Sequence, residues 1–459
     1  MGKFIERNFI TEKNFYKTVF AVVIPIALQN VISFGVNLMD TIMLGRLGDI
    51  AISAASMGNQ PFFLLMGLGF GLSSGGAVLI AQYWGKGNTK AIRSIMGISM
   101  RILLVAAAVF TVACQLFPQE IMSIYVKDPQ VIEASAIYLK TLSISFVLYC
   151  IATNYMMSMR AVEAVKFSTF ISLLSFFVNV FFNYCFIFGN FGFPALGVKG
   201  AALGTVIARL AEFGAVMVYM NLIEKKVGFR LGDLLKSDKG LMKDYTKYSL
   251  PVVGNELVWS MGSAITAIII GHISTVFISA NSITSVMMQL CSVFIFGISN
   301  AAAVVTGKSI GEGKKDQTQK VAYSLLAIAL VMGLFGSVLV FLMRDVVLSF
   351  YNVSPETRDV ARQCMTVLAC ILPCMALDIT CIIGILRGGG DTRTSFMLDA
   401  GSLWLVAIPL GAIAGVYLKL APPLVYLALK MDSPIKAILA GLRVRSGKWV
   451  RTVTREDVA

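Results

Sequence analysis

Residues 24–45 read IPIALQNVISFGVNLMDTIMLG, an apolar run that carries a single acid, Asp40. As a helix rising about 1.5 Å per residue, Pro25 to Gly45 covers about 30 Å, the thickness of a bilayer's hydrocarbon core. A carboxylate at that depth is costly unless it faces a bundle interior or a wet cavity, or binds a proton or a cation. An acid in such a run therefore points to transport across a membrane.

The rest of the chain extends this reading. Of its 459 residues, 57% are hydrophobic and 14% charged, and the mean hydropathy is +0.78. Such values exclude an ordinary soluble domain and predict many membrane spans. Apolar runs of spanning length fall at about 15–44, 52–82, 94–117, 131–157, 167–190, 197–223, 245–271, 276–306, 318–343, 357–386, 395–418 and 422–442. They predict an all-α polytopic membrane protein of twelve transmembrane helices. A β-barrel is excluded because its strands alternate in polarity over short segments, whereas these runs are long and apolar on all sides.

The formal charge of +14 sits in the turns. Lys3, Arg7, Lys13 and Lys17 precede the first run, and Lys86, Lys90 and Arg93 follow the second. Arg160 and Lys166 follow the fourth, and Lys225, Lys226, Arg230, Lys236, Lys239 and Lys243 follow the sixth. Lys308, Lys314, Lys315 and Lys320, then Arg387 and Arg393, and finally Arg443, Arg445, Lys448, Arg451 and Arg455 continue the alternation. By the positive-inside rule both termini and the central linker are expected in the cytoplasm, with the chain in the cell membrane. This placement makes membrane lipids, and no nucleic acid, the partner of the basic residues. The polar start MGKFIERNFITEKNFYK lacks the pattern of a cleaved signal, so the first span is expected in the mature protein.

An internal repeat organises the runs. Pro25 matches Pro251, Gly45 matches Gly271, Gly71 matches Gly297, Gly85 matches Gly311, Gly87 matches Gly313, Tyr125 matches Tyr351 and Pro129 matches Pro355, each pair offset by 226 as 251 is from 25. The expected organisation is two pseudo-symmetric six-helix lobes, 1–224 and 245–459, joined by a cytoplasmic linker, 225–244, with a basic tail. An even number of spans makes the repeats parallel, with substrate expected between the lobes.

Three acids lie at membrane depth. Asp40 is about 9 Å from Arg46, Glu256 about 17 Å above the start of its helix, and Asp378 about 14 Å from Arg387 at 1.5 Å per residue. The plainer alternative is that each acid is neutralised by a neighbouring helix and only holds the bundle together. Asn179 and Asn183 are four apart and share a helix face. With Asp40 and Thr205 they can form an oxygen-rich site, or simply hydrogen-bond helix to helix. Arg209 and Glu212, three apart, are expected to pair with each other.

The eight cysteines all lie in apolar segments, so no disulfide framework is implied. Cys370 and Cys374 share a face, but the single histidine, His272, adds no ligand cluster, and no metal is expected. The glycine motifs Gln82-Tyr83-Trp84-Gly85-Lys86-Gly87 and Gly307-Lys308-Ser309-Ile310-Gly311-Glu312-Gly313 lack the spacing of a phosphate loop and read as helix ends. Arg387-Gly388-Gly389-Gly390-Asp391-Thr392-Arg393 reads as a tight turn. The chain offers no nucleophile–base pair, so it is not expected to be an enzyme or to need a cofactor.

Asp40-Thr41 ahead of Gly45, AQYWGKG at 81–87, the acid in LPVVGNELVW, LRGGGDTR at 386–393 and SLWLVAIPLG at 402–411 together resemble the multidrug and toxic compound extrusion (MATE) family over residues 15–450. The resemblance implies two lobes around a central cleft and export of organic cations or amphipathic compounds, by a monomer, in exchange for protons or sodium. Asp40 then matches the acid that drives the cycle, with Asn179, Asn183 and Thr205 as its polar partners. Some members carry an acid where this chain has Asn183. Glu256 and Asp378 match the second-lobe cation site of sodium-coupled members, but those members place a tyrosine where this chain has Cys374. The resemblance therefore leaves the ion open between H+ and Na+. A lipid-linked oligosaccharide flippase of the same superfamily is the alternative, and it would require central arginines for pyrophosphate.

Overall fold

A computed structural model describes residues 9–235, 238–351 and 353–456. Lys3, Arg7 and Lys236, three of the basic turn residues, lie outside them. Every regular element among the described residues is helical. Among the described residues ten helices are long and apolar enough to cross a membrane, or eleven when a bent pair is counted as one span. In chain order they are α1 (Lys13–Gly45), α2 (Ile50–Gly85), α3 (Thr89–Leu116) and α4 (Pro129–Ser143 with Phe146–Ala161, bent by 53°). Next come α5 (Val165–Phe188), α6 (Val198–Ile223), α7 (Lys239–Gly271) and α8 (Thr275–Gly311). The last are α9 (Gln317–Ser349), α10 (Pro355–Arg387) and α11 (Thr392–Tyr417). The chain is a multi-pass membrane protein. The twelfth expected run folds as two short helices, Pro422–Leu429 and Asp432–Arg445, together α12. Lys430, Asp432 and Lys436 interrupt its apolar character, so the segment differs in kind from the other spans.

Short-range chemistry sets the helix ends. The Asn88 side chain accepts from the Ala91 N–H (3.0 Å) at the start of α3, and Ser274 accepts from Phe277 (3.1 Å) at the start of α8. Pro129 and Pro355 occupy first-turn positions, where no intrahelical donor is missed. Gly189 takes the left-handed conformation (φ 75°) that closes α5. Along α3, Val105, Val109, Val112 and Leu116 are exposed while Ile92, Ile95, Met96 and Leu103 are buried. Both faces are apolar and only their neighbours differ, as expected where lipid rather than water covers the outer face.

The residues pack into two compact units. One comprises 28–80 and 88–253, and the other reaches to Ala27 and includes 81–87 and 254–455. The handover in α1, between Ala27 and Leu28, and that in α7, between Val253 and Gly254, fall at equivalent places in the repeat, just past Pro25 and Pro251. In the first unit α5 packs along α6 and α3 along the second arm of α4. In the second, α10 is central, packed by α8, α9 and α12. The second unit's core gathers Phe277, Met287, Leu368 and Leu372 with Tyr426 of α12.

Candidate functional site: two buried polar clusters

Asp40 sits near the end of α1, half-buried. Its carboxylate accepts from Asn183 Nδ2 at 2.6 Å, and the same amide donates to Asn179 Oδ1 at 3.2 Å. Asn179 Nδ2 in turn donates to Thr205 Oγ1 at 3.3 Å, and Thr205 donates to the Ala201 carbonyl one turn back. The helical period explains the order, since residues four apart on α5 stack on one face and α6 presents Thr205 to it. Gly204 makes the approach possible, because a Cβ there would lie 2.0 Å from Asn183 Oδ1. The four residues expected to form a site in the first half are thus joined in one hydrogen-bonded chain.

Among the described residues no lysine or arginine lies within ion-pair distance of Asp40. Arg209, one turn beyond Thr205, is taken by Glu212 (2.7 Å), and its guanidinium lies over the Tyr149 ring at 4.6 Å. This is the pairing expected from the sequence. Among the described residues, the hydrogen bond to the Asp40 carboxylate comes from an amide. Such a carboxylate has room for a proton or a small cation on its remaining lone pairs.

The second unit treats its acids differently. Glu256 Oε1 lies 3.3 Å from Nη1 of Arg387, whose side chain is 2% exposed. Asp378 Oδ2 lies 3.6 Å from Lys436 Nζ, and that ammonium also meets Asp399 at 3.0 Å and Asp432 at 2.9 Å. Asn255, next to Glu256, donates to the other oxygen of Asp399 at 2.8 Å. Glu256 and Asp378 are therefore not bonded to each other. Each has its own base, and a string of Asn255, Asp399 and Lys436 leads from the neighbourhood of one to the other.

Five of these residues, Asn255, Arg387, Asp399, Asp432 and Lys436, did not enter the expected site. Arg387 counted as a turn residue at the end of a run, yet it is buried. The signal for Lys436 was present, because Asp432 and Lys436 are four apart within an apolar run and so share a helix face. A buried lysine in a membrane segment needs acids around it.

Apolar helices of spanning length that enclose clusters of ionisable side chains are the arrangement expected of a membrane transporter. The MatE family model matches residues 25–185 and again 251–413, and the two matches begin at the paired prolines of the repeat. The chain belongs to the MatE family. It is similar to the "Probable multidrug resistance protein NorM" of Thermotoga maritima, 25% identical over 445 residues that cover 96% of this chain and 95% of the relative. It is also 22% identical over 437 residues to the "Multidrug resistance protein MdtK" of Yersinia enterocolitica, covering 94% of this chain and 95% of that one. Its fold matches that of a MOP superfamily transporter from Pyrococcus furiosus with a TM-score of 0.87, at 17% identity and 95% and 97% coverage of the two chains. That structure's description reports a binding pocket of reverse polarity and suggests a different function for it.

Proposed function

We propose that the chain is a secondary active multidrug efflux transporter. It exports organic cations or amphipathic compounds across the cell membrane by antiport with protons or sodium, and Asp40 is its coupling carboxylate. The observation that carries this reading is that, among the described residues, Asp40 accepts from Asn183 and has no lysine or arginine within ion-pair distance. The relatives' names supply the substrate class, since two of them are called multidrug resistance proteins.

The proposed cycle needs few parts. Substrate enters from the cytoplasm, where both termini lie, and is released outside when a proton or sodium ion occupies Asp40. One charge moved down 100 mV supplies about 2.3 kcal/mol, which sustains a gradient of roughly fifty-fold. No resident cofactor takes part, and a monomer carries every group named. Asn179, Asn183 and Thr205 hold the carboxylate in place, while Glu256 and Asp378, each with a base beside it, give the second unit a charged lining for a cationic substrate.

The test is purified protein in liposomes loaded with a cationic dye, with pH and sodium gradients imposed separately. Export driven by one gradient and absent without it identifies the ion. Export unaffected by either gradient, or retained in full by Asp40→Asn, overturns the reading.

A further inference from the structure

Of three glycine motifs, AQYWGKG (81–87) and GKSIGEG (307–313) have no part in the proposed cycle, and LRGGGDTR (386–393) enters it only through Arg387. The structure brings all three together with the chain's tail, inside the second unit. After Ser446 the backbone turns and then runs from Val450 to Arg455 without regular secondary structure. Trp449 fixes its start, with its ring fully buried and its indole N–H donating to the Val444 carbonyl (2.9 Å) and Gln319 Oε1 (3.1 Å).

Beyond Trp449 the tail is held mainly through its backbone. Arg451 N–H donates to the Gly389 carbonyl at 3.0 Å. The buried amide of Gln82, in the last turns of α2, donates to the Arg451 carbonyl at 3.0 Å and accepts from Val453 N–H at 2.9 Å. One residue further, Tyr83 Oη accepts from Arg455 N–H at 3.1 Å, and Lys86 Nζ donates to the Arg455 carbonyl at 3.3 Å. Asp391, 0% exposed, accepts from Arg443 (2.8 Å) and Arg451 (3.0 Å). The glycines clear the space. A Cβ on Gly389 would lie 2.4 Å from the Trp449 ring, and one on Gly311 would lie 2.0 Å from the Gln82 carbonyl.

α2 belongs to the first unit up to Ile80 and only its end, 81–87, to the second. The tail grips that end. Its hold is polar, with Trp449 and Val453 as the buried apolar contacts and with Arg451 46% exposed on its ion pair. Segments held in this way open below the free energy of global unfolding. We infer that residues 449–455 form a releasable strap that latches the end of α2 to the second unit, and that its release is a step of the transport cycle. The inference rests on the transport reading and adds a regulated contact to it.

The test joins Lys86→Cys to Arg455→Cys with a short, reducible thiol cross-linker in the full chain, with the exposed Cys370 changed to alanine. Hydrogen exchange and dye export are measured before linking, after linking and after reduction. In the unlinked protein the amides of Arg451, Val453 and Arg455 are expected to exchange at least about tenfold faster than those of α10. Linking slows them to the α10 rate and stops export, and reduction restores both. Strap amides that exchange no faster than α10, or a linked protein that exports at the unlinked rate, overturn the inference. An unlinked protein that exports no dye counts against the transport reading instead, and the exchange rates still decide the strap.

Discussion

Asp40 in the first unit is held by an amide, whereas Asp378 in the second is held by an ammonium that two further carboxylates share. Both are acids within spanning helices, yet their surroundings differ in formal charge. In the first unit Arg209, one turn beyond Thr205, is paired with Glu212. In the second unit Arg387 and Lys436 stand against Glu256, Asp378, Asp399 and Asp432 at contact distance. A cation approaching Asp40 has only to share the carboxylate with Asn183, while one approaching Asp378 has to compete with a tethered ammonium. The two units also differ in where their helices depart from regular α geometry. α4 breaks between Ser143 and Phe146, whereas α10 runs on through Pro373 and widens into a π-helical turn at Thr380–Arg387. The extra residue of a π-turn re-aims the side chains beyond it, a feature often found at functional sites. The turn ends at Arg387, the base that meets Glu256.

The comparison is broken most directly at Asp40. Asp40→Asn is expected to lower dye export by about two orders of magnitude while changing stability by less than about 1 kcal/mol, since the amide keeps the size of the carboxyl and no ion pair is lost. Export from proteoliposomes and a thermal melt of the same preparation check both halves of the statement. If Glu256→Gln abolishes export and Asp40→Asn does not, the roles of the two units are reversed. The next effect is on stability. Lys436→Met leaves three largely buried carboxylates without their shared cation and is expected to destabilise by about 3–5 kcal/mol. Adding Asp378→Asn to that variant should recover part of the loss, and a Lys436→Met melt equal to the unaltered chain's would show that the ammonium does not hold the cluster. Arg387→Gln follows at about 2 kcal/mol, because Glu256 keeps some exposure and the contact is a single 3.3 Å bond. A double-mutant cycle with Glu256→Gln should return a coupling of about 1 kcal/mol.

The sequence carried the all-helical, multi-span fold because hydropathy along a run is a local signal. The chain of Asp40, Asn183, Asn179 and Thr205 was legible for the same reason, since two of its members sit one helical turn apart and the others are lone polar groups in apolar runs. The second cluster was legible only in part. Glu256 and Asp378 stood out as acids in apolar runs, but their bases lie 131 and 58 positions further along, at Arg387 and Lys436. No periodicity reports a contact between segments so far apart. Arg387 was further disguised by its position, since a basic residue beside a glycine turn looks like a solvated end, yet its side chain is buried against Glu256. The handover of α1 and α7 between units was equally invisible, because it depends on which neighbours a helix meets and not on the helix itself.

The smallest expected effect sharpens the first half of the comparison. Thr205 accepts from Asn179 at 3.3 Å, the longest bond in the Asp40 chain, and its own proton goes to the Ala201 carbonyl. Thr205→Val keeps the shape and removes that acceptor, so Asn179 Nδ2 loses its bond while Asn179 Oδ1 still accepts from Asn183. Interhelical hydrogen bonds in membranes are worth about 0.6 kcal/mol on average, so the variant should melt within a few degrees of the unaltered chain and export two- to threefold more slowly. Asn183→Ala, which removes the donor on Asp40 itself, should cost more, about 1–2 kcal/mol. For export, the order Asp40, Asn183, Thr205 is what a carboxylate supported by amides requires, since each step away from the charge weakens the effect on ion binding. If Thr205→Val stopped export as completely as Asp40→Asn, the amide chain would be the working part of the site and the carboxylate one of its links.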